Sequence, residues 1–507
     1  MHSLLTGTGI SGFLEKYKVV GVYLISVAYI FLNAYMVYKD FYYSLAIPVL
    51  LVLLYFYFTR LDWIILLIAF TTPIAVNMVQ YELGAGISIP TEPLLFGVLL
   101  IFILKLFYKN DFDRKIWTHP VSIVVLISLI WIFITSLTSQ IPLVSFKYLL
   151  ARLWFVIPFY FLGILLFRKT RNIRLFIWLY AVPLMGVIMY TVIIHSTYGF
   201  EEEAGHWVME PFYNDHTAYG AILALFLPVF VGFTFSKVYS PGTRFFSLIF
   251  MVILVVAIYL SYCRAAWISI VATLMVYFVI LFKIKFKWIA VITGGLLIFF
   301  FMFQQQIWDV MERNKQGTSG DFTEHVQSMS NISTDDSNLE RINRWQSAFR
   351  MFRERPVFGF GPGTYQFEYA PFQLSKEKTL ISTNAGDRGN AHSEFIGPLS
   401  EEGLPGMLIM LTLVIMIIVY GLKVHKQAKT RETRLISLTV LLGLMTYFLH
   451  GTLNNFLDTD KASIPIWAFI AVLVAIDMYQ NKTDDQPSVG SGQCTTPKSP
   501  EGDLLPL

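Results

Sequence analysis

The stretch FFSLIFMVILVVAIYLSYCRAAWISIVATLMVYFVILF, which runs from Phe245 to Phe282, decides the fold class of this chain. It is almost uninterruptedly apolar and about twice as long as the roughly 20 residues that cross a bilayer as one helix. Arg264 lies near its midpoint. An arginine costs about 2.5–3.5 kcal/mol at the bilayer centre. The stretch therefore predicts two membrane helices joined by a tight hairpin, with Arg264 at the membrane surface.

Comparable apolar runs recur along the whole chain. The 507 residues are 55% hydrophobic and only 14% charged, with a mean hydropathy of +0.59. That is too little charge to coat a soluble globule of this size. The runs are centred near Ile30, Leu50, Ala69, Leu100, Leu126, Ile157, Met185, Leu225, Ile253, Ala272, Leu296, Leu411, Leu442 and Ala471. The runs near Leu50 and Ile157 are short, so we expect an all-α, polytopic transmembrane helical bundle of about 12–14 spans.

Basic residues cluster in alternate short connections, which the positive-inside rule assigns to the cytoplasm. The clusters lie within Lys109–Lys115, Arg168–Arg174, Lys237–Arg244, Lys283–Lys287 and Lys423–Arg434. This parity predicts that both termini are cytoplasmic and that the long polar segment Gln304–Phe395 is extracytoplasmic. It also puts Cys263 and Cys494 on opposite sides, so no disulfide is expected. A net charge of +4 is small for this length and does not favour a nucleic-acid partner.

Four regions follow from this topology. Residues 1–303 are transmembrane helices with short loops, and residues 304–395 are one large extracytoplasmic loop. Residues 396–480 return to the membrane, and residues 481–507 form a cytoplasmic tail whose composition predicts disorder. Because the unusual polar residues share the outer side with the large loop, we expect the chemistry to take place there.

The large loop contains an amphipathic segment. Leu339, Ile342, Trp345, Phe349 and Phe352 recur at helical spacing, which predicts a helix resting on the membrane surface. Arginines occupy the rest of its surface, at positions 341, 344, 350 and 353. Pro356 should end the helix, and the run Gly359–Gly363 that follows indicates a structural corner. It is not a dinucleotide site, since no strand precedes it.

Several polar residues are candidates for catalysis or binding. Neutral imidazole suits removal of a proton from a sugar hydroxyl near neutral pH, which favours His392 as a general base, and Glu394 could orient it. An ordinary solvated histidine is the alternative. Arg264 either reaches lipid headgroups or forms a bidentate clamp on a diphosphate. Asp215 and His216 form a second candidate pair. Asp458 and Asp460 either bind a metal or are solvated.

The polar motifs follow one another in a set order. Phe212-Tyr213-Asn214-Asp215-His216 comes first, then Ser261-Tyr262-Cys263-Arg264-Ala265-Ala266-Trp267, then Arg341 through Trp345 to Pro356 and Gly359-Phe360-Gly361, and last Ala391-His392-Ser393 with Leu399, Glu401 and Gly403. They resemble the F-x-N-x-N, S-x-S-R-x-A/G, R-x-x-x-W…P-x-x-G-x-G and A-H-N…L-x-E-x-G segments of the bacterial O-antigen ligase family. That family shares a domain with O-antigen polymerases and some protein O-oligosaccharyltransferases. Ser393 and Cys263 stand where the family usually has Asn and Ser.

The resemblance implies a GT-C-like membrane glycosyltransferase in the bacterial cytoplasmic (inner) membrane. Members take a glycan from undecaprenyl diphosphate and pass it to an acceptor outside the cytoplasm, in a reaction thought to be inverting and metal-independent, with no cofactor. By this resemblance Arg264 and Arg341 bind the diphosphate and His392 is the general base. Further candidates for substrate binding are Asn214, Asp215, His216, Arg344 and Glu401.

The acceptor distinguishes the possible functions. An O-antigen ligase uses lipid A-core, a polymerase uses another lipid-linked glycan, and a protein O-oligosaccharyltransferase uses a protein. We expect the ligase, although the sequence contains no feature that identifies the acceptor. A transporter or lipid flippase has a similar helix count, but its ionisable residues should lie inside the spans. Here they gather at one surface, which favours an enzyme.

Overall fold

The structure, a computed structural model, describes residues 8–77, 87–108, 112–284, 336–378, 382 and 389–480. It divides into two compact units, the first ending at Ile64 and the second beginning at Ile65. Both units are helical, as the composition predicts. The run near Leu296, the loop segment 304–335 and the tail 481–507 lie outside the described residues.

The first unit is a helical hairpin. Helix α1 (Thr8–Tyr38) is followed by a 3-10 turn (Tyr42–Ala46) and α2 (Ile47–Thr59). Polar side chains hold the turn, since Tyr29 Oη donates to the carbonyl of Ser44 at 2.8 Å. From residue 20 onward, most of the described apolar side chains of these helices are exposed, as lipid-facing helices require.

The second unit contains the remaining spans. Helix α3 (Leu61–Thr71) continues as a 3-10 turn to Ile74. A two-residue ladder, β1 (Val76–Asn77) with β2 (Ser88–Ile89), follows it. The helices after the ladder are α4 (Thr91–Tyr108), α5 (Arg114–Thr118), α6 (Pro120–Leu137), α7 (Pro142–Val156), α8 (Leu162–Leu166), α9 (Thr170–Thr197), α10 (Glu202–Gly205), α11 (His216–Phe235), α12 (Pro241–Leu260) and α13 (Arg264–Leu281).

The carboxyl-terminal part combines loop helices with three more spans. These elements are α14 (Asp336–Glu354), α15 (Tyr365–Glu368), α16 (Ile396–Glu401), α17 (Gly403–Gln427), α18 (Arg431–His450) and α19 (Asp460–Ala475). A π-helical segment, Ile157–Phe161, joins α7 to α8, and another, Ile476–Gln480, extends α19. Helix α19 is buried on all sides, which explains its apolar sequence after Ser463.

Within the described residues, twelve helical segments are long and apolar enough to span a membrane. This confirms the predicted all-α, multi-pass architecture. The expectation that the runs near Leu50 and Ile157 are too short was wrong, because Tyr42–Thr59 and Pro142–Leu166 both reach span length. The π-helical segment keeps the second of these continuous through Pro158. The apolar run that falls short of span length is instead the one near Ala69, within Leu61–Ile74.

The predicted glycine corner is confirmed, and it joins three elements. The amide of Gly361 donates to the carbonyl of Glu401 at 2.8 Å, and the carbonyl of Phe360 accepts from the amide of Gln140 at 2.9 Å. Ser145 Oγ donates to the carbonyl of Pro362 at 2.9 Å. The corner therefore fastens residues 359–363 of the large loop to the α6–α7 turn and to α16.

Replacing Gly361 by alanine is expected to destabilise the protein by about 1–3 kcal/mol. Its φ is +116°, which favours glycine, and an added Cβ would collide with Ser139 Oγ. Thermal unfolding of the purified protein in detergent measures the loss as a lower Tm. Gly186→Ala is the matched control, since no atom lies within 4 Å of a Cβ there. Equal Tm values for the two variants would contradict the structural role of the corner.

Candidate active site

The hairpin predicted around Arg264 is present. Helix α12 ends at Leu260, Tyr262 adopts a φ of +50°, and α13 begins at Arg264. The indole of Trp267 donates to the carbonyl of Ile258 at 3.0 Å and ties the two helices together. The guanidinium of Arg264 is 29% exposed and lies 3.9 Å from Glu202 Oε1. Arg264 therefore stands at the tip of the hairpin, where an external ligand can reach it.

The Asp215–His216 pair has a local structural role that the sequence analysis missed. Asp215 is the N-cap of α11, and its Oδ1 accepts from the amides of Thr217 at 2.7 Å and Ala218 at 2.9 Å. An aspartate before an apolar run is the sequence signal for such a cap. The ring of His216 stacks on His206 with centroids 4.2 Å apart. Asn214 is exposed beside them.

The buried face of helix α14 is largely polar. Glu340, Asn343, Arg344, Ser347, Ala348 and Met351 are buried along one face. The predicted apolar stripe, from Leu339 to Phe352, is only half-buried or exposed. The expectation that Arg344 lies on the surface was wrong. Its Nε donates to Glu340 Oε1 at 2.6 Å, and its guanidinium lies 4.0 Å from the ring centroid of Tyr369.

A buried polar network surrounds this ion pair. Glu340 Oε2 also accepts from Ser382 Oγ and from Asn343 Nδ2, which in turn donates to Gln373 Oε1 at 2.9 Å. These hydrogen bonds and Arg344 together outweigh burial and lower the pKa of Glu340. The network therefore orders the loop around α14, while Arg341, on the next position of the helix, is half-buried.

Replacing Glu340 by glutamine is expected to destabilise the protein by about 3–5 kcal/mol, because the buried guanidinium of Arg344 loses its carboxylate. The readout is Tm in detergent. Glu354→Gln, on the exposed end of the same helix, should leave Tm unchanged. An equally small effect of both substitutions would mean that the ion pair does not stabilise the loop.

His392 lies in a strained turn between the large loop and α16. Its φ is +46°, and its amide donates to Asn390 Oδ1 at 3.0 Å. Ser393 Oγ accepts from the amides of Phe395 and Ile396, both at 3.3 Å, so the serine that departs from the family pattern holds the turn that leads into α16. Burial, followed by Arg341 and Arg344, lowers the pKa of His392 to about 4. The imidazole is therefore neutral near pH 7, the form a general base requires.

Glu394 has partners other than the predicted one. Its Oε1 accepts from Tyr447 Oη at 2.5 Å and from the amides of Phe456 at 2.7 Å and Leu457 at 3.0 Å. In the part of the chain that the structure describes, no hydrogen bond joins it to the His392 ring. The contacts thus anchor the loop after α18, and they do not support the orienting role predicted for this carboxylate.

Arg341 is the common neighbour of residues that are distant in sequence. Its charge acts on His392, His216 and His450, and Arg264 also acts on His216. The structure thereby brings together the hairpin tip, the start of α11, helix α14 and the turn before α16. His450, the buried last residue of α18, was missed because a single histidine at the end of an apolar run gives no distinctive signal.

Glu401 and the Asp458–Asp460 pair lie elsewhere in the second unit. Glu401 Oε1 accepts from the amide of Tyr365 at 2.9 Å, and burial raises its pKa to about 7. Asp460 is buried and accepts from Thr91 Oγ1 at 2.7 Å, whereas Asp458 is exposed. Over the described ranges, no group of three or more His, Cys, Asp or Glu side chains is arranged to hold a metal ion.

Comparison with known proteins agrees with this geometry. A family model described as O-antigen ligase matches residues 249–411. Residues 249–411 of the chain therefore match an O-antigen ligase domain. This domain begins inside α12 and ends inside α17, so it contains Arg264, Arg341 and His392 but not the Asp215–His216 pair. The O-antigen ligase domain identifies ligase- and polymerase-type membrane glycosyltransferases, which act on lipid-linked glycans.

A relative of this chain is known from Haemophilus influenzae. It is an uncharacterized protein, 24% identical over 124 residues, which are 24% of this chain and 30% of the relative. The chain thus matches less than a third of the relative's length.

Proposed function

We propose that this protein transfers a glycan from undecaprenyl diphosphate to an acceptor on the extracytoplasmic side of the bacterial inner membrane. Lipid A-core is the proposed acceptor, so the protein would act as an O-antigen ligase. The observation that carries the proposal is the convergence of Arg264, Arg341 and a neutral His392 from three separate segments. The alternating basic connections support cytoplasmic termini for this orientation.

In this proposal His392 activates the acceptor, and the two arginines assist departure of the leaving group. The acceptor hydroxyl would give its proton to His392 as its oxygen bonds to the anomeric carbon. The anomeric C–O bond breaks, and its electron pair leaves with the diphosphate. Negative charge develops there in the transition state, so Arg264 and Arg341 would stabilise it electrostatically. Attack opposite the leaving group inverts the anomeric centre, and no step requires a metal ion.

Reconstitution into proteoliposomes tests this function. The full chain is supplied with undecaprenyl-diphosphate glycan and, separately, with lipid A-core, a second lipid-linked glycan or an acceptor protein, and product masses are recorded in the presence of EDTA. A ligase adds one glycan mass to lipid A-core. Lengthening of the lipid-linked glycan would indicate a polymerase, and a glycosylated protein would indicate an oligosaccharyltransferase. Movement of the donor across the bilayer without any product would indicate a flippase.

A further inference from the structure

A cavity of about 760 Å³ adjoins the segment that carries His392. Its walls come from α4, α6, α7, α16, the start of α17 and the loop after α18. Gly389, Asn390, Ser393 and Glu394 also line it, so the His392 segment forms one wall. Its size lies within the range of cavities that bind small ligands. Arg264, Arg341 and His392 themselves are not among its described lining residues.

The side chains that line the cavity do not form an anion-binding site. Five lining residues are carboxylic acids: Glu92, Glu394, Glu401, Glu402 and Asp458. Among the described lining residues only Lys147 and Arg152 are basic, and Arg152 already donates to the carbonyl of Leu457 at 3.0 Å and to Tyr148 Oη at 2.5 Å. A phosphate group binds where cations and backbone amides converge, and this cavity lacks that arrangement among its described lining residues.

Glu402 is the lining carboxylate best placed to meet a ligand. It is only 6% exposed, and within the described residues its carboxylate has no hydrogen-bond partner. Glu394 and Glu401, in contrast, accept hydrogen bonds from backbone amides. Burial raises the pKa of Glu402 to about 8, so near pH 7 it is mainly protonated and offers both a donor and an acceptor. A buried polar group of this kind normally has a partner.

Other lining residues have the chemistry that sugars require. Gln366, Asn390 and Asn455 contribute polar side chains to the lining, and Trp154 and Trp467 contribute indole rings. Tyr148 and Tyr365 add aromatic surface to the lining. A sugar presents hydroxyl groups to polar atoms and its C–H surface to aromatic rings, so it matches both features.

We propose that this cavity binds the acceptor sugar, that the sugar is uncharged and rich in hydroxyl groups, and that Glu402 hydrogen-bonds to those hydroxyls. That this sugar is the acceptor rests on the proposed function, whereas its chemical class is inferred from the cavity alone. A sugar held there would reach His392 along the shared wall of residues 389–394. In a lipid A-core acceptor, an uncharged outer sugar would occupy the cavity, and the phosphorylated part would stay outside it.

Equilibrium binding tests the class of ligand without any transfer reaction. The full chain in lipid nanodiscs is titrated calorimetrically with core oligosaccharide, either phosphorylated or chemically dephosphorylated. We expect the dephosphorylated form to bind at least as tightly as the phosphorylated form, and Glu402→Met to weaken its binding about tenfold, as loss of a strong hydrogen bond predicts. Tighter binding of the phosphorylated form, or unchanged binding to the variant, would overturn the proposal.

Transfer kinetics then test the acceptor role. Glu402→Met should raise the KM for lipid A-core about tenfold and leave donor affinity unchanged, whereas Glu402→Gln keeps a donor and an acceptor and should stay within about twofold of wild type. Glu354→Met is the control on an exposed carboxylate. Wild-type protein without transfer activity would refute the proposed function alone. Active wild-type protein with an unchanged KM for Glu402→Met would refute the acceptor role of the cavity alone.

Discussion

Replacing His392 by alanine is expected to abolish glycan transfer while the protein stays folded and inserted. A positioned general base contributes about 10²–10⁴-fold to the rate, and the neutral state of this imidazole makes it available for that role. The measurement is single-turnover transfer from undecaprenyl-diphosphate glycan to lipid A-core in proteoliposomes. Tm and donor binding are recorded on the same preparation, because the base should affect the chemical step and not the affinity for the donor.

His425→Ala, on helix α17, is the matched control and should retain activity. Full activity of the His392 variant would refute the assignment of the base. The pH dependence gives a second readout. Because the pKa of His392 is lowered from 6.5 to about 4, the folded protein binds this proton less readily than the unfolded chain. Its contribution to stability is therefore complete above pH 6.5 and is lost as the pH falls through about 4. His392→Ala should flatten the decline in Tm over that window.

The sequence predicted the features that depend on local pattern. The hairpin at Arg264 followed from the cost of a charge inside the bilayer, and the corner at Gly359–Gly363 followed from the backbone freedom of glycine. The twelve candidate spans among the described residues also fall within the predicted range. In each case, a few neighbouring residues fix the outcome without reference to the rest of the fold.

Features that depend on tertiary packing were not predictable. The spacing of α14 predicts an amphipathic helix, but it does not say which face meets protein when both lipid and protein are available. Glu340 and Arg344 can be buried because residues 373 and 382, far along the chain, complete their polar network. Glu394 resembled a partner for His392 because the two are neighbours in sequence. Its actual partners, Tyr447 and the amides of residues 456 and 457, belong to a distant loop.

Replacing Arg264 or Arg341 by alanine is expected to weaken donor binding by about 10–100-fold each, since a hydrogen bond to a charged group contributes about 1.5–3 kcal/mol. The proposed ligand is the same diphosphate for both arginines, so the two losses should not be independent. A double-mutant cycle on the dissociation constant of undecaprenyl-diphosphate glycan measures their coupling. The loss should shrink as salt rises, because both side chains are partly accessible to solvent.

Lysine at the same positions separates charge from geometry. It retains the positive charge but lacks the planar fork that binds two oxygens, so Arg264→Lys and Arg341→Lys should recover only part of the lost affinity. Arg353→Ala, at the exposed end of α14, controls for loss of positive charge from the same helix. Unchanged donor affinity in both alanine variants would remove the clamp from the mechanism. Loss in only one of them would leave a single guanidinium on the diphosphate and would place the other at the acceptor or at the membrane headgroups.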